Sequence, residues 1–181
     1  MEKKNFLKVV VTGPESTGKT ALAEALAQRL GVAWVPEFAR YYVAHLGRPY
    51  RREDLKAIGL GQSVWEQWYA LKFAEDSYAN LLVCDTDWTV LHVWEEYRFR
   101  PDDAPEWQKG YGPAHLADLY LLCAPDFPWQ PDPLREHPDE RDALFDLYEE
   151  LLHGRQANFI TLTGGHEMRL QIALSAIRKL F

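Results

Sequence analysis

Hydrophobic and polar positions follow two rhythms along this chain. Short apolar runs recur at Leu7-Lys8-Val9-Val10-Val11, Val32-Ala33-Trp34-Val35, Leu81-Leu82-Val83-Cys84, Leu119-Tyr120-Leu121-Leu122-Cys123 and Phe159-Ile160-Thr161-Leu162, and they predict five strands. Between them the apolar positions return at helical period. One predicted helix starts at Lys19, carries Leu22, Leu26 and Leu30 on one face and stops at Gly31. Others run from Phe38 to about Leu46, from about Glu53 to Tyr78, from Trp88 to about Tyr97, over residues 139–152 and from Met168 to Leu180. Gly59 and Gly61 weaken the long helix locally, and Gly164-Gly165 breaks the last strand from the last helix. Residues 99–117 are polar and rich in Pro and Gly, which predicts a loop.

Uninterrupted apolar strands alternating with helices imply an α/β fold: a five-stranded parallel sheet with helices on both faces. Right-handed crossovers then bring the C-terminal ends of all strands to one edge, where such sheets bind ligands. No repeat, low-complexity tract or linker divides residues 1–181, so a single domain is expected.

Composition narrows the function classes. Of 181 residues 47% are apolar, enough for one packed core, and no apolar run approaches the roughly 20 residues that span a bilayer. The N-terminus, Met1 to Asn5, lacks a signal-peptide pattern, so a cytoplasmic protein with no membrane partner is expected. A net charge of −7 argues against nucleic acid as the main partner, because a phosphate backbone needs a basic surface. Cys84 and Cys123 sit inside apolar runs without zinc or redox spacing, and read as buried free thiols. Oligomeric state is not legible.

The densest chemistry lies after the first strand. Gly13-Pro14-Glu15-Ser16-Thr17-Gly18-Lys19-Thr20 matches the phosphate-loop pattern G-x-x-x-x-G-K-[ST] in full. Such a loop wraps backbone N–H groups around a phosphate and opens a helix whose N-terminal dipole faces it. Lys19 reaches the β- and γ-phosphates, and the Thr20 hydroxyl ligates Mg²⁺. ATP and Mg²⁺ are therefore the expected cofactors, with Gly13 and Glu15 to Thr20 as the binding residues.

Acids follow two other strands. Asp85 and Asp87 lie at the end of the third; Asp85 suits Mg²⁺ or its water shell, and Asp87 is either an acceptor-site acid or the cap of the helix from Trp88. Glu37 follows the second strand, where a carboxylate orients an acceptor hydroxyl and takes its proton. Arg40, one turn on, pairs with Glu37 or with a transferring phosphate. Glu37 and Asp87 are both candidates for the base, with Glu37 preferred. After the fourth strand, a Pro-rich segment with Phe127 and Trp129 leads to Arg135, His137 and Arg141. It reads as a lid whose arginines close on the phosphates or, equally, as a solvated loop.

Together, Gly13 to Thr20, Pro36-Glu37-Phe38-Ala39-Arg40, Gly61-Gln62, Cys84-Asp85-Thr86-Asp87 with Thr89, and Asp132 with Arg135 and Arg141 resemble the ribosylnicotinamide kinase domain of NadR-like proteins of NAD metabolism. The resemblance runs from about residue 7 to about residue 155. It implies a P-loop NTPase fold with an Arg-bearing lid, and transfer of phosphate from ATP to the ribose 5′-hydroxyl of nicotinamide riboside, giving nicotinamide mononucleotide. Lys19, Glu37, Asp87, Arg135 and Arg141 would be catalytic, and Glu37, Arg40, Asp85, Asp87 and Trp88 would bind the substrate. NadR-like proteins usually carry further domains before the kinase; this chain begins at the kinase, so neither adenylyl transfer nor DNA binding is expected of it. For the cationic nicotinamide ring an aromatic face is favoured. Trp88 is the first choice, with Trp94, Tyr97 and Tyr41 as others. The alternatives are a kinase of another nucleoside and a nucleotide-hydrolysing regulatory module. For the latter no guanine-recognition N-K-x-D motif is present.

Overall fold

Every β-strand is parallel to its neighbours, and the order explains how distant sequence motifs meet. The computed structural model describes residues 6–73, 80–99, 116–132, 135 and 139–181. β1 (Leu7–Thr12) lies at the centre, flanked by β3 (Leu81–Asp85) and β4 (Leu119–Cys123). β2 (Ala33–Val35) and β5 (Phe159–Leu162) form the edges, giving the order β2-β3-β1-β4-β5. Register pairs Val11 with Asp85 and Thr12 with Leu122, so the C-terminal ends of the central strands stand side by side. The predicted five-stranded parallel α/β sheet is the observed one.

Side chains alternate between two cores. Val9, Val11, Val83, Leu121 and Cys123 face α1 (Lys19–Leu30) and α6 (His166–Ile177), where Leu22, Leu26, Leu170 and Leu174 complete a buried cluster. Val10, Val35, Cys84, Tyr120 and Leu122 face the opposite cluster. It is built with residues of α3 (Arg52–Lys72), α4 (Trp88–Trp94) and α5 (Arg141–Gly154). α2 (Phe38–Leu46) adds Ala39 and packs on α3. Both cysteines are buried and free. Among the described residues no helix is long and apolar enough to cross a membrane.

The differences from the sequence reading are local. The long helix ends at Lys72 rather than near Tyr78, which lies outside the described residues. α4 is α-helical only to Trp94 and continues as a π-helical turn over Glu95–Phe99, in which buried Glu95 accepts a hydrogen bond from Arg52. The last helix starts two residues earlier than expected, at His166, and finishes as a 3₁₀ turn over Arg178–Leu180. Of the 99–117 segment, Trp107 and Tyr111 lie outside the described residues, as do Pro133, Leu134 and residues 136–138 of the lid candidate.

The two glycines that weaken α3 have a packing role. A Cβ on Gly59 would stand 2.5 Å from the Trp88 ring, and one on Gly61 would stand 2.0 Å from Phe38. Alanine is the better helix former by about 1 kcal/mol, yet overpacking costs about 1–3 kcal/mol. Gly61→Ala is therefore expected to lower stability, and Gly59→Ala to do the same, when thermal unfolding is compared with the wild type.

Candidate active site

The phosphate loop occupies the turn between β1 and α1. Gly13 has φ 132°, and a Cβ there would come within 2.6 Å of the Cys123 carbonyl oxygen, so only glycine fits. The Thr17 hydroxyl donates to the Pro14 carbonyl at 2.9 Å, and Lys19 Nζ donates to the same oxygen at 2.7 Å. Ser16 takes a left-handed φ of 57°, and its Oγ accepts from the Gln130 backbone N–H at 2.8 Å. The Pro-rich segment after β4 thus rests directly on the loop.

At the end of β3 the chain separates its two acids. Thr86, between them, has φ 67°. Asp85 turns toward the loop, where its Oδ2 accepts from the Thr20 hydroxyl at 2.6 Å while Oδ1 is buried with no hydrogen-bond partner. Asp87 caps α4 by accepting from the Thr89 N–H at 2.8 Å. Its second oxygen accepts from Tyr120 at 3.0 Å and lies 3.5 Å from Lys8 Nζ. Lys8 also donates to Glu66 at 2.8 Å. Burial pulls the Lys8 pKa down, but the Glu66 and Asp87 carboxylates outweigh it and hold the ammonium charged.

Glu37, at the N-cap of α2, accepts from Arg40 Nε at 3.2 Å, and Arg40 Nη1 donates to Asp132 at 3.2 Å. One cavity of about 680 Å³ takes in the whole phosphate loop, Glu37, Arg40, Gln130, Arg135 and His166, together with Tyr50 and Trp94. Tyr50 and Trp94 form a wall with ring centroids 5.7 Å apart and planes inclined by 31°. Arg98, from the π-helical turn, lays its guanidinium 4.3 Å from the Tyr50 ring centre and donates to the Tyr50 hydroxyl at 2.8 Å.

The profile of an AAA domain family matches residues 8–169. The chain belongs to this family. Among solved structures, its fold resembles two of NadR, one in complex with NR (nicotinamide riboside) and one with NAD and AMP-PNP. They are 20% and 21% identical, with a TM-score of 0.71 for each, and the alignments cover 96% of this chain and 49% of NadR. This AAA domain therefore spans about half the length of those NadR chains. It also resembles a deoxyadenosine kinase from M. mycoides with 12% identity and a TM-score of 0.60, over 96% of this chain and 100% of that one. A thymidylate kinase from Ehrlichia chaffeensis follows with 10% identity and a TM-score of 0.62, over 95% and 98% of the two chains. Among curated protein sequences none matches. The domain thus shares the α/β fold of these proteins.

The residues singled out in the sequence divide into two groups. The loop residues Gly13 to Thr20, with Glu37, Arg40 and Arg135, line the cavity, and Asp85 reaches it through Thr20. Asp87, Trp88 and Arg141 do not line it. Asp87 is drawn away by Lys8 and Tyr120. Trp88 is only 8% exposed, lies over Gly59 and donates to the Ser63 hydroxyl at 2.8 Å. Arg141 donates to the Phe127 carbonyl at 2.8 Å, beneath the segment it was expected to close. Tyr41 is 52% exposed and packs with Phe38 and Trp65.

Two further contributors carry little signal in the sequence. Tyr50 follows α2 in a short connection with no periodic signal. Arg169 lies on the buried face of α6, in phase with Leu170, Ala173, Leu174 and Ile177, where a lone charge was the clue. Its guanidinium donates to the carbonyls of Thr17 at 2.8 Å, Ala124 at 2.9 Å and Gly164 at 2.9 Å, and pairs with Asp126. It also stacks 4.4 Å from the Phe127 ring centre. The phosphate loop, the exit of β4 and the turn before α6 are thereby tied at one point.

Thr20 and Asp85 fit Mg²⁺: a hydroxyl and a carboxylate, one oxygen of which is buried without a partner. Burial and, next, the charge of Glu37 push the Asp85 pKa up to about 6, against the opposing effects of Thr20, Lys19 and Arg40. A raised carboxylate pKa favours the protonated form of the metal-free fold. Its contribution to stability is complete below the ordinary carboxylate pKa and disappears as pH rises through about 6. A cation at Asp85 competes with that proton. Mg²⁺-dependent ATP binding is thus expected to be about tenfold weaker at pH 5 than at pH 7, with proton release at the lower pH, read by calorimetry.

Proposed function

We propose that this domain is an ATP- and Mg²⁺-dependent kinase that phosphorylates the 5′-hydroxyl of nicotinamide riboside. The observation that carries the reading is the continuity of the cavity: the phosphate loop and the Tyr50–Trp94 wall open into one space, with Glu37 and Arg40 in its lining. A space shared in this way suits a phosphoryl donor and an acceptor bound together, which an uncoupled hydrolase does not need. NadR, whose fold this domain shares, has been solved with nicotinamide riboside and with an ATP analogue, and this lends the same chemistry support. The two buried thiols suit a reducing, cytoplasmic compartment.

In this account the backbone N–H groups of the loop and the N-terminus of α1 bind the β- and γ-phosphates. Lys19 exchanges the Pro14 carbonyl for a phosphate oxygen. Thr20 and Asp85 would hold Mg²⁺, which would supply charge neutralisation on the phosphate oxygens. Glu37 orients the acceptor hydroxyl and takes its proton as the oxygen–phosphorus bond forms and the bond to the ADP oxygen breaks. Arg40 and Arg135 offset the charge of the transferring group. Asp87, held by Lys8 and Tyr120, acts as a positioning residue: it caps the helix from which Val90 and Trp94 reach the cavity.

The acceptor carries a planar pyridinium cation, and an aromatic face stabilises a desolvated cation by about 0.5–2 kcal/mol. The Arg98 guanidinium on Tyr50 is the same kind of contact. Trp94→Leu is therefore expected to raise KM for nicotinamide riboside by about tenfold while changing KM for ATP little. Equal losses for neutral inosine and nicotinamide riboside would count against the cationic acceptor.

A further inference from the structure

The outer face of α3 is apolar where a solvated helix would be charged. Leu60, Val64, Trp68 and Leu71 are 53%, 62%, 50% and 79% exposed, and they are four of the eight exposed large apolar side chains among the described residues. Ala57, Leu60, Val64, Gln67 and Leu71 form a stripe, 57-60-64-67-71, flanked by Trp68, whose alternating steps of three and four residues are those of a helix seam that packs against another helix. Every exposed residue of α3 from 57 to 71 is uncharged; Glu66, the one acid in that span, turns inward to Lys8. Charges resume at the ends, with Glu53 and Lys56 before the stripe and Lys72 after it. Tyr41, packed on Trp65, widens the patch on one side. Contiguous apolar patches of this kind mark interaction sites.

We propose that this face is the contact through which two copies of the chain pair, α3 against α3, antiparallel about a two-fold axis. The stripe is complementary to its own reverse. In one antiparallel register Leu60 of each copy meets Val64 of the other, and Ala57 meets Gln67 with the large Trp68 beside the small Ala57. The same register brings Glu53 against Leu71 with Lys72 next to it, so opposite charges close both ends. A parallel pairing would set Trp68 on Trp68 and Lys72 on Lys72, joining like sizes and like charges. Glu37, Arg40, Tyr50, Trp94 and the phosphate loop lie on other elements, so the paired face leaves the cavity accessible.

The test is sedimentation equilibrium of the full chain from about 1 to 100 μM, with Val64→Glu, Glu53→Lys and Glu53→Lys/Lys72→Glu beside the wild type. The proposal expects a species of twice the 21.0 kDa chain mass. Val64→Glu, whose substitution enters the seam twice, should raise its dissociation constant by about 100-fold with melting of the monomer and turnover per chain unchanged. Glu53→Lys should weaken pairing, and adding Lys72→Glu should restore it. Hydrogen exchange in α3 that slows as wild-type concentration rises, and does not slow in Val64→Glu, supports the same contact. A chain that stays at its monomer mass throughout overturns the proposal and leaves the stripe to a different polypeptide. So does a dimer indifferent to Val64→Glu, or a double variant no tighter than Glu53→Lys.

Discussion

Asp85→Asn is expected to abolish most turnover while leaving the metal-free protein as stable as the wild type or more so. The two halves of this result have one cause. Asp85 is a buried carboxylate facing Glu37, and burial and that neighbour raise its pKa to about 6. At neutral pH the metal-free fold therefore holds two acids in mutual repulsion, and an amide removes the repulsion. The amide oxygen still accepts from Thr20, so the loop keeps its anchor. What is lost is the anionic oxygen that would hold the cation under the proposed function, and the expected result is a fall in kcat of about 10²–10³-fold, the scale of removing one preorganised charge-stabilising group. Turnover with ATP, compared with thermal melting without nucleotide, checks both halves. A variant that melts earlier in step with its loss of activity would make Asp85 a structural residue.

Arg169→Ala should have the largest effect on stability, about 3–5 kcal/mol. The guanidinium is 1% exposed and serves three backbone carbonyls and Asp126. Truncation leaves those acceptors without their donor, and each unsatisfied buried group costs about 1–3 kcal/mol, reduced where water enters. For a chain of this size the loss corresponds to a fall of about 10 °C in Tm. Because Thr17 belongs to the phosphate loop, KM for ATP should rise as well. Arg169→Lys cannot span the same acceptors with a single ammonium and should recover only part of either loss. A Tm within about 2 °C of wild type for Arg169→Ala would mean the guanidinium does little to join the three segments.

The fold was legible because the strands are predominantly apolar runs and the helices between them carry a period. The phosphate loop was legible because its backbone path demands glycine at fixed spacing. Residues that act through direction were not. The sequence offers Asp85 as a cation ligand and Asp87 as a helix cap or an acceptor-site acid, but the left-handed Thr86 that sends one to the phosphate loop and the other to Thr89 and Lys8 carries no local signal. Lys8 stands in an otherwise apolar strand, a hint of a buried ion pair that no local pattern locates. Trp88 follows an acid at the sheet edge and so suggested a substrate contact. Gly59 removes the side chain that would have kept its ring off α3, and Trp94, almost two turns later, faces the cavity instead. Tyr50 reaches the same wall from a connection whose path depends on how α2 packs on α3.

The most direct test of the account is ADP release with ATP and Mg²⁺, run with nicotinamide riboside, with a panel of neutral nucleosides and with no acceptor. The account predicts turnover that depends on nicotinamide riboside, yields nicotinamide mononucleotide by mass, and is lost in Lys19→Ala and Glu37→Gln. Equal turnover across the neutral nucleosides, or ADP release indifferent to every acceptor, would contradict it.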